Sequence, residues 1–231
     1  MAKTVLVTGA SKGIGAAVVR RFNREGYSAV AVSRSLKQLE ETFKNCDDIT
    51  SMAADVSSPK EVDELVNRVE KKYGTVDVVV NSAGLGYFGT IAETSPEVWN
   101  QILAVNLTGT FLVCKAMLPL MTKSDRPHLF NILSAAAKTA FPNCGAYVAS
   151  KFGALGFTDV LREELRPLKI KVTAVLPGAV DTPFWDTQAV DFDRAQMLRA
   201  GDVAESIWQA YQQPANSLIE EISIKPSRGD F

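Results

Sequence analysis

One histidine and three cysteines among 231 residues leave little material for several kinds of chemistry. His128 follows Pro127 at what reads as a strand start, a structural place, and no Ser-His-Asp set with an evidently activated serine is available. Cys46, Cys114 and Cys144 are widely spaced, form no CxxC pair and cannot all pair internally. No Cys, His or paired-carboxylate cluster has metal-ligand spacing. The cysteines read as small buried apolar side chains of a reduced, intracellular protein. Neither sign of charge is in excess, since 25 Lys and Arg stand against 26 Asp and Glu. Composition therefore points to no nucleic-acid or membrane-surface partner. Long apolar runs are also missing. The stretch before Thr8-Gly9 is too short for a signal-peptide core. The longest uncharged run, Val98 to Cys114, holds Asn100, Gln101, Asn106 and Gly109 and falls short of the ~20 apolar residues of a spanning helix. The expectation is a cytoplasmic protein with no membrane segment.

What is present suits a folded core: 46% of residues are hydrophobic, which excludes disorder of the whole chain. Short β-branched runs alternate with helical patterns. Thr4–Thr8, Ser28–Ser33 and Ile49–Ala53 read as strands, separated by helices over Ile14–Glu25 and Leu36–Lys44. Over Pro59–Tyr73, Val62, Leu65, Val66 and Val69 recur at helical spacing, with Pro59 near the start and Gly74 past the end. Val76–Val80 is a valine run of the kind found in strands covered on both faces. Pro96–Met121 predicts one long helix capped by Ser95. A strand near Leu129–Leu133, a helix from about Ala146 to Arg166 and a strand at Ile170–Leu176 follow. Asp202–Gln212 and Leu218–Ile224 complete the series as helix and strand. Seven strands alternating with helices predict one α/β domain over 1–231, a doubly wound, mostly parallel sheet with helices on both faces. Asp181–Gly201 is its one long irregular segment.

Between the first strand and first helix lies Thr8-Gly9-Ala10-Ser11-Lys12-Gly13-Ile14-Gly15. Glycines there let backbone amides approach a pyrophosphate, and the helix N-terminus faces the anion with free N–H groups. The spacing is GxxxGxG rather than GxGxxG, and the Gly-Lys-Ser/Thr ending of a P-loop is absent. On the glycines alone, a tight turn without a ligand is the other reading. The second strand ends in Ser33-Arg34, where an NAD site usually offers a carboxylate to the ribose 2′-hydroxyl. With no carboxylate present, Arg34 and Lys12 suit a 2′-phosphate. NADP(H) is the expected cofactor, with NAD(H) as the alternative.

Tyr147 and Lys151 stand four apart in a predicted helix and share a face. Ser134 ends the strand before it, and Asn106 lies in the long helix before that. Taken together these features resemble the short-chain dehydrogenase/reductase family, in its compact single-domain branch. Thr8–Gly15 is similar to the family's TGxxxGIG loop, Asp55 to its aspartate near the adenine, and Asn81-Ser82-Ala83-Gly84 to its NNAG turn. Pro177-Gly178-Ala179-Val180-Asp181-Thr182 resembles its PGxVxT turn near the nicotinamide carboxamide. The resemblance implies a Rossmann-like fold and a catalytic set of Asn106, Ser134, Tyr147 and Lys151. It implies a cofactor site of Gly9, Ser11, Lys12, Gly13, Ile14, Gly15, Ser33, Arg34, Asp55, Val56, Asn81, Ala83, Gly84, Tyr147, Lys151, Pro177, Gly178, Val180 and Thr182. A homodimer or homotetramer joined through helices around Pro96–Met121 and Tyr147–Arg166 is implied as well.

These residue types suit hydride transfer to a small-molecule carbonyl, or from an alcohol. Carbon accepts the hydride while oxygen takes a proton, which Tyr147 can give or receive. An ordinary phenol pKa of ~10 would have to fall ~3 units, about 4 kcal/mol, to work both ways near neutrality. A lysine ammonium at ~4 Å gives ~1 kcal/mol in water and ~4 at an effective dielectric of 20. Lys151 is therefore expected to lower Tyr147 in a partly desolvated site, with the charge of an oxidised nicotinamide as additional help. Ser134 would hold the carbonyl oxygen, and the resemblance gives Asn106 a water that relays protons towards Lys151. Substrate contacts are expected from Leu85–Phe88, Ala135–Phe141 and Thr182–Gln188, with Tyr87, Phe88, Phe141, Phe184 and Trp185 as apolar candidates. A dinucleotide-binding sensor without turnover is the alternative function, and it would need neither Tyr147 nor Ser134.

Overall fold

Val, Ile, Ala and Thr segments pair side by side through a computed structural model that describes residues 3–187 and 193–229. In chain order the strands are β1 (Thr4–Thr8), β2 (Ser28–Ser33), β3 (Ile49–Ala53), β4 (Val78–Asn81), β5 (His128–Ile132), β6 (Lys171–Pro177), β7 (Val180–Asp181), β8 (Leu198–Arg199) and β9 (Glu221–Ile224). Seven form one sheet in the order β3-β2-β1-β4-β5-β6-β9, and every pair is parallel. β7 and β8 form a separate parallel pair. The chain leaves β1 towards β2 on one side and returns to β4 on the other. That reversal opens a crevice at the carboxyl ends of β1 and β4.

The helices are α1 (Gly13–Asn23), α2 (Leu36–Thr42), α3 (Pro59–Tyr73), α4 (Pro96–Leu103), α5 (Gly109–Met121), α6 (Gly145–Leu165) and α7 (Ala200–Tyr211). Alternation along each strand divides the core in two. Val5 and Val7 face Val18, Phe22, Ile207 and Tyr211 of α1 and α7. Leu6 faces the other layer, with Leu65 of α3, Met117 of α5 and Leu161 of α6. His128 is buried, stacks on Phe130 with ring centroids 4.0 Å apart, and shares a hydrogen bond with Thr173.

Several boundaries differ from the sequence expectation for identifiable reasons. β4 starts at Val78, because the Val76 N–H donates to Leu120 O at the end of α5. β9 starts at Glu221; upstream, Ile219 O accepts from the Thr173 hydroxyl, and Ser217 O from Lys171 Nζ. The long helix over Pro96–Met121 contains a π-helical turn at Ala104–Thr108. By length and composition that 26-residue run would also span a membrane. Here Val113, Met117, Leu120 and Met121 are buried in the core beside the sheet. Cys114 and Cys144 are buried as expected, whereas Cys46 is only partly so.

Phe22 is fully buried and meets Tyr27, Trp208 and Tyr211 at ring-centroid distances of 5.4, 5.1 and 5.7 Å. Phe22→Ala should lower unfolding free energy by about 3–5 kcal/mol, and Phe22→Leu by clearly less. Urea midpoints would measure both; a loss under about 1 kcal/mol for the alanine variant would show that this cluster does not hold α1 to α7.

Candidate active site

Gly9 follows β1 with φ of 64°, and a Cβ there would lie 2.7 Å from Ser82 O and from the Ala83 N and Cα. Only glycine allows that turn and that approach. The Thr8 hydroxyl seals the junction by accepting from the Ser82 and Ala83 N–H groups at 3.2 and 3.3 Å. Above it lies a cleft of about 970 Å³, walled by Gly9, Ser11, Lys12, Gly13 and Ile14. Serines 35, 58 and 95 cap α2, α3 and α4, but α1 begins after Lys12 with no side-chain cap. Its first N–H groups are left as donors at the cleft, as an anion site requires.

Ser33 and Arg34 line the same cleft beyond β2, beside Asp55 and Val56. The Asp55 carboxylate accepts from Ser57 N and Oγ at 2.9 and 2.6 Å. Burial works to raise its pKa, but the Ser57 hydrogen bonds and the Arg34 charge outweigh it and hold the carboxyl below the ordinary value. Lys12 and Arg34 are exposed at the cleft, and neither forms an ion pair among the described residues. Ala83, Gly84, Pro177, Gly178, Val180 and Thr182 complete this wall. The uncapped α1 amides, the glycine turn and two unspent cations fit a phosphorylated dinucleotide. Among the described residues no three His, Cys, Asp or Glu side chains gather into a metal-binding group.

Ser134, Tyr147 and Lys151 meet on the cleft floor. Ser134 comes just after β5, with its Oγ accepting from Ala136 N at 3.1 Å. Tyr147 lies in the first turn of α6 and Lys151 one turn later. Lys151 Nζ donates to Ile132 O at 3.0 Å and lies 5.6 Å from the Tyr147 ring centroid. Burial pushes the Lys151 ammonium down to about 8. Burial likewise pushes the Tyr147 phenol up to about 12, an effect that the Ser134 hydroxyl only partly offsets. Among the chain's own groups the phenol thus stands above its ordinary value, because desolvation disfavours its charged form; the expected lowering by Lys151 also draws on the charge of an oxidised nicotinamide.

Three expected site residues lie behind the lining instead of on it. Gly15 packs α1 against the turn, where a Cβ would lie 2.5 Å from Gly9 O. Asn81 points into the interior, with Nδ2 donating to Asn131 Oδ1 at 2.9 Å and Cys114 Sγ at 3.2 Å. Asn106, in the π-turn, accepts from Leu85 N at 2.8 Å and donates through Nδ2 to Leu85 O and Ser150 Oγ, both at 2.9 Å. Both Nδ2 protons are thereby used on the protein. Ser150 was not singled out from sequence. It is fully buried and donates to Tyr147 O at 2.7 Å, so it ties Asn106 to the catalytic turn of α6. Its three-residue spacing from Tyr147, which places both on one helix face, was the available signal.

On the open side, Phe88, Phe141, Phe184 and Trp185 line the cleft, whereas Tyr87 turns outward to Glu93 O at 3.5 Å. Gln188 and the expected loop residues 189–192 lie outside the described residues. The rest of the expected irregular segment carries the β7–β8 pair and short 3₁₀ turns. Arg194 clamps it, donating to Asp181 Oδ1, Asp186 Oδ1 and Thr182 O at 2.6, 2.7 and 2.8 Å.

Burial of Lys151 has a pH signature. Between about 8 and its ordinary 10.5 the unfolded chain keeps a proton that the folded chain has released. Stability should therefore rise across that window, by up to about 3 kcal/mol, and show no Lys151 slope below it. Urea unfolding from about pH 8 to about pH 10 should show this rise in the parent and lose it in Lys151→Met. Equal slopes in the two proteins would contradict a desolvated lysine.

The sequence profile of the family described as short chain dehydrogenase matches residues 3–191. A sepiapterin reductase of Chlorobaculum tepidum is 36% identical, covering 100% of this chain and 99% of its own. An uncharacterized oxidoreductase of Staphylococcus epidermidis is 32% identical over 97% of each chain. Among solved structures, an alcohol dehydrogenase of the archaeon Thermococcus sibiricus, complexed with 5-hydroxy-NADP, superposes with a TM-score of 0.90. It is 29% identical, over 98% of this chain and 97% of its own. A variant actinorhodin polyketide ketoreductase with NADPH gives 0.89 at 32% identity, over 100% and 98%. Agreement of sheet order, glycine turn and whole-length similarity leads to one assignment: the chain belongs to the short-chain dehydrogenase family of oxidoreductases.

Proposed function

We propose that the chain is an NADP(H)-dependent oxidoreductase that interconverts a carbonyl compound and an alcohol. The observation that carries this reading is the meeting of Ser134, Tyr147 and Lys151 on the floor of the cleft whose far wall is the glycine turn. The names of its relatives, a reductase, an alcohol dehydrogenase and a ketoreductase, support it. Gly9 to Ile14 and the α1 amides would hold the pyrophosphate, Lys12 and Arg34 the 2′-phosphate, and the turn from Pro177 to Thr182 the nicotinamide end. Asp55 would sit near the adenine. When bound, the dinucleotide supplies or accepts the hydride.

The protein's own part is to place a proton and polarise an oxygen. The Ser134 hydroxyl donates to the carbonyl oxygen and stabilises the negative charge that builds there. Tyr147 delivers the proton. With its phenol pushed up to about 12, it is fully protonated near neutrality, the state required for carbonyl reduction. In the reverse direction the phenolate must be stabilised, and Lys151 is the cation one helical turn away. Asn106 acts chiefly as a brace on Leu85 and, through Ser150, on Tyr147. The second lone pair of its Oδ1 is free for a water. That oxygen lies 3.5 Å, and Lys151 Nζ 3.8 Å, from the position of a Cβ on Gly84.

The outer faces of α5 and α6 suit self-association. Phe152 and Val160 lie eight residues apart on one stripe of α6, and Phe111 of α5 stands edge-on to Phe157. Phe111, Phe152 and Val160 are 41, 45 and 58% exposed, an apolar surface that a second copy would cover. Light scattering should find a dimer or tetramer in the parent and a monomer-shifted distribution in Phe152→Glu. A monomeric parent would contradict the interface.

Turnover is tested by following reduced-nicotinamide absorbance with a panel of carbonyls. Tyr147→Phe should lower kcat by about 100-fold or more while NADPH still binds. Arg34→Ala should raise the KM for NADPH about tenfold, equivalent to ~1.4 kcal/mol, and leave the KM for NADH within about twofold. Unchanged turnover in the first variant would remove Tyr147 as the acid, and equal effects on both cofactors would remove Arg34 as the phosphate reader.

A further inference from the structure

Resting on the reductase reading above, we infer that the site selects an uncharged carbonyl compound with a flat ring beside the reacting carbon. Three rings continue outward from Tyr147. Phe184 stands 5.9 Å from it, Trp185 5.2 Å beyond, and Phe88 5.7 Å from Trp185, measured between centroids. Leu85, Phe141 and Pro142 line the cleft as well, and none of these six residues carries a charge.

The aromatic wall is set before a substrate arrives. The Phe184 ring lies over Gly86, where a Cβ would meet it at 2.3 Å, so any side chain there would displace the ring. Trp185 Nε1 donates to Val180 O at 2.9 Å, which fixes the indole plane. Arg194 holds the segment from Asp181 to Asp186 through its three donor contacts. A fixed wall of ring faces and edges favours a flat ring over a puckered one of equal size.

Charge selection follows from how the neighbouring cations are already committed. Arg194 is bound to Asp181 and Asp186, and Lys138 to Glu221, while Lys151 keeps its charge at the reacting end, one helical turn from Tyr147. Lys12 and Arg34 flank the glycine turn and the end of β2. Among the described residues, a substrate carboxylate or phosphate entering between Phe88, Phe184 and Trp185 meets no uncommitted cation. It would shed its water without replacement, whereas a neutral ring would lose little. Among the described residues no Asp or Glu lines this part of the cleft either, so an ammonium group is equally unmatched.

Three ketones of similar size test the inference: acetophenone, cyclohexyl methyl ketone and para-acetylbenzoate, each with saturating NADPH. The kcat/KM for acetophenone should exceed that for the cyclohexyl ketone about fivefold. It should exceed that for the benzoate at least about thirtyfold. Trp185→Ala should bring the ratio between the two neutral ketones close to one. Calorimetric Kd values for the same ketones on NADPH-loaded Tyr147→Phe should fall in the same order without any turnover. If no ketone is reduced but this binding order holds, the selectivity stands and the catalytic reading fails. Benzoate handled as well as acetophenone, or a ring preference that survives Trp185→Ala, would overturn the inference.

Discussion

Gly9 turns with a φ of 64° against Ser82 and Ala83, close enough that a Cβ would sit 2.7 Å from three backbone atoms. That contact exists because Thr8 and Asn81 are in register at the ends of adjacent parallel strands. From it, a continuous set of hydrogen bonds and short chain segments crosses the active site. Thr8 holds Ser82 and Ala83, the chain runs on to Leu85, and Leu85 is gripped by Asn106. Asn106 in turn holds Ser150, and Ser150 holds the carbonyl of Tyr147. The glycine turn and Tyr147 are therefore parts of one braced unit. A shift at the glycine turn has a physical route to α6.

The same burial that makes the site precise sets its electrostatics. Desolvation moves Tyr147 up and Lys151 down, so the resting protein holds a protonated phenol beside a lysine near its own titration point. A cleft of this kind keeps the phenol protonated and disfavours a standing phenolate, which is what the proposed reduction needs. Lys12 and Arg34 also face the cleft, and among the described residues Phe88, Phe141, Phe184 and Trp185 give it an uncharged aromatic lining.

Much of this was legible in the chain. Strands covered on both faces read as β-branched runs, and the spacing of Gly9, Gly13 and Gly15 marked the turn. Tyr147 and Lys151 share a face because four-residue helical spacing fixes direction locally, and Ser134 joins them from the end of β5. The misses share another cause, dependence on distant partners. Asn81 turns inward because Asn131 and Cys114 wait behind it. The π-turn at Ala104–Thr108 includes Asn106, whose side chain is committed to the backbone of Leu85, twenty-one residues earlier. Ser150 gains its importance only once that turn exists.

Whether the braced cleft transfers hydride is tested most directly with NADPH deuterated at the reactive nicotinamide carbon, in parallel on each face. The substrate is acetophenone and the readout is the mass spectrum of the alcohol. The account predicts one deuterium at the carbinol carbon from one labelled face and none from the other. An alcohol without deuterium from either face, or no alcohol at all, would contradict it.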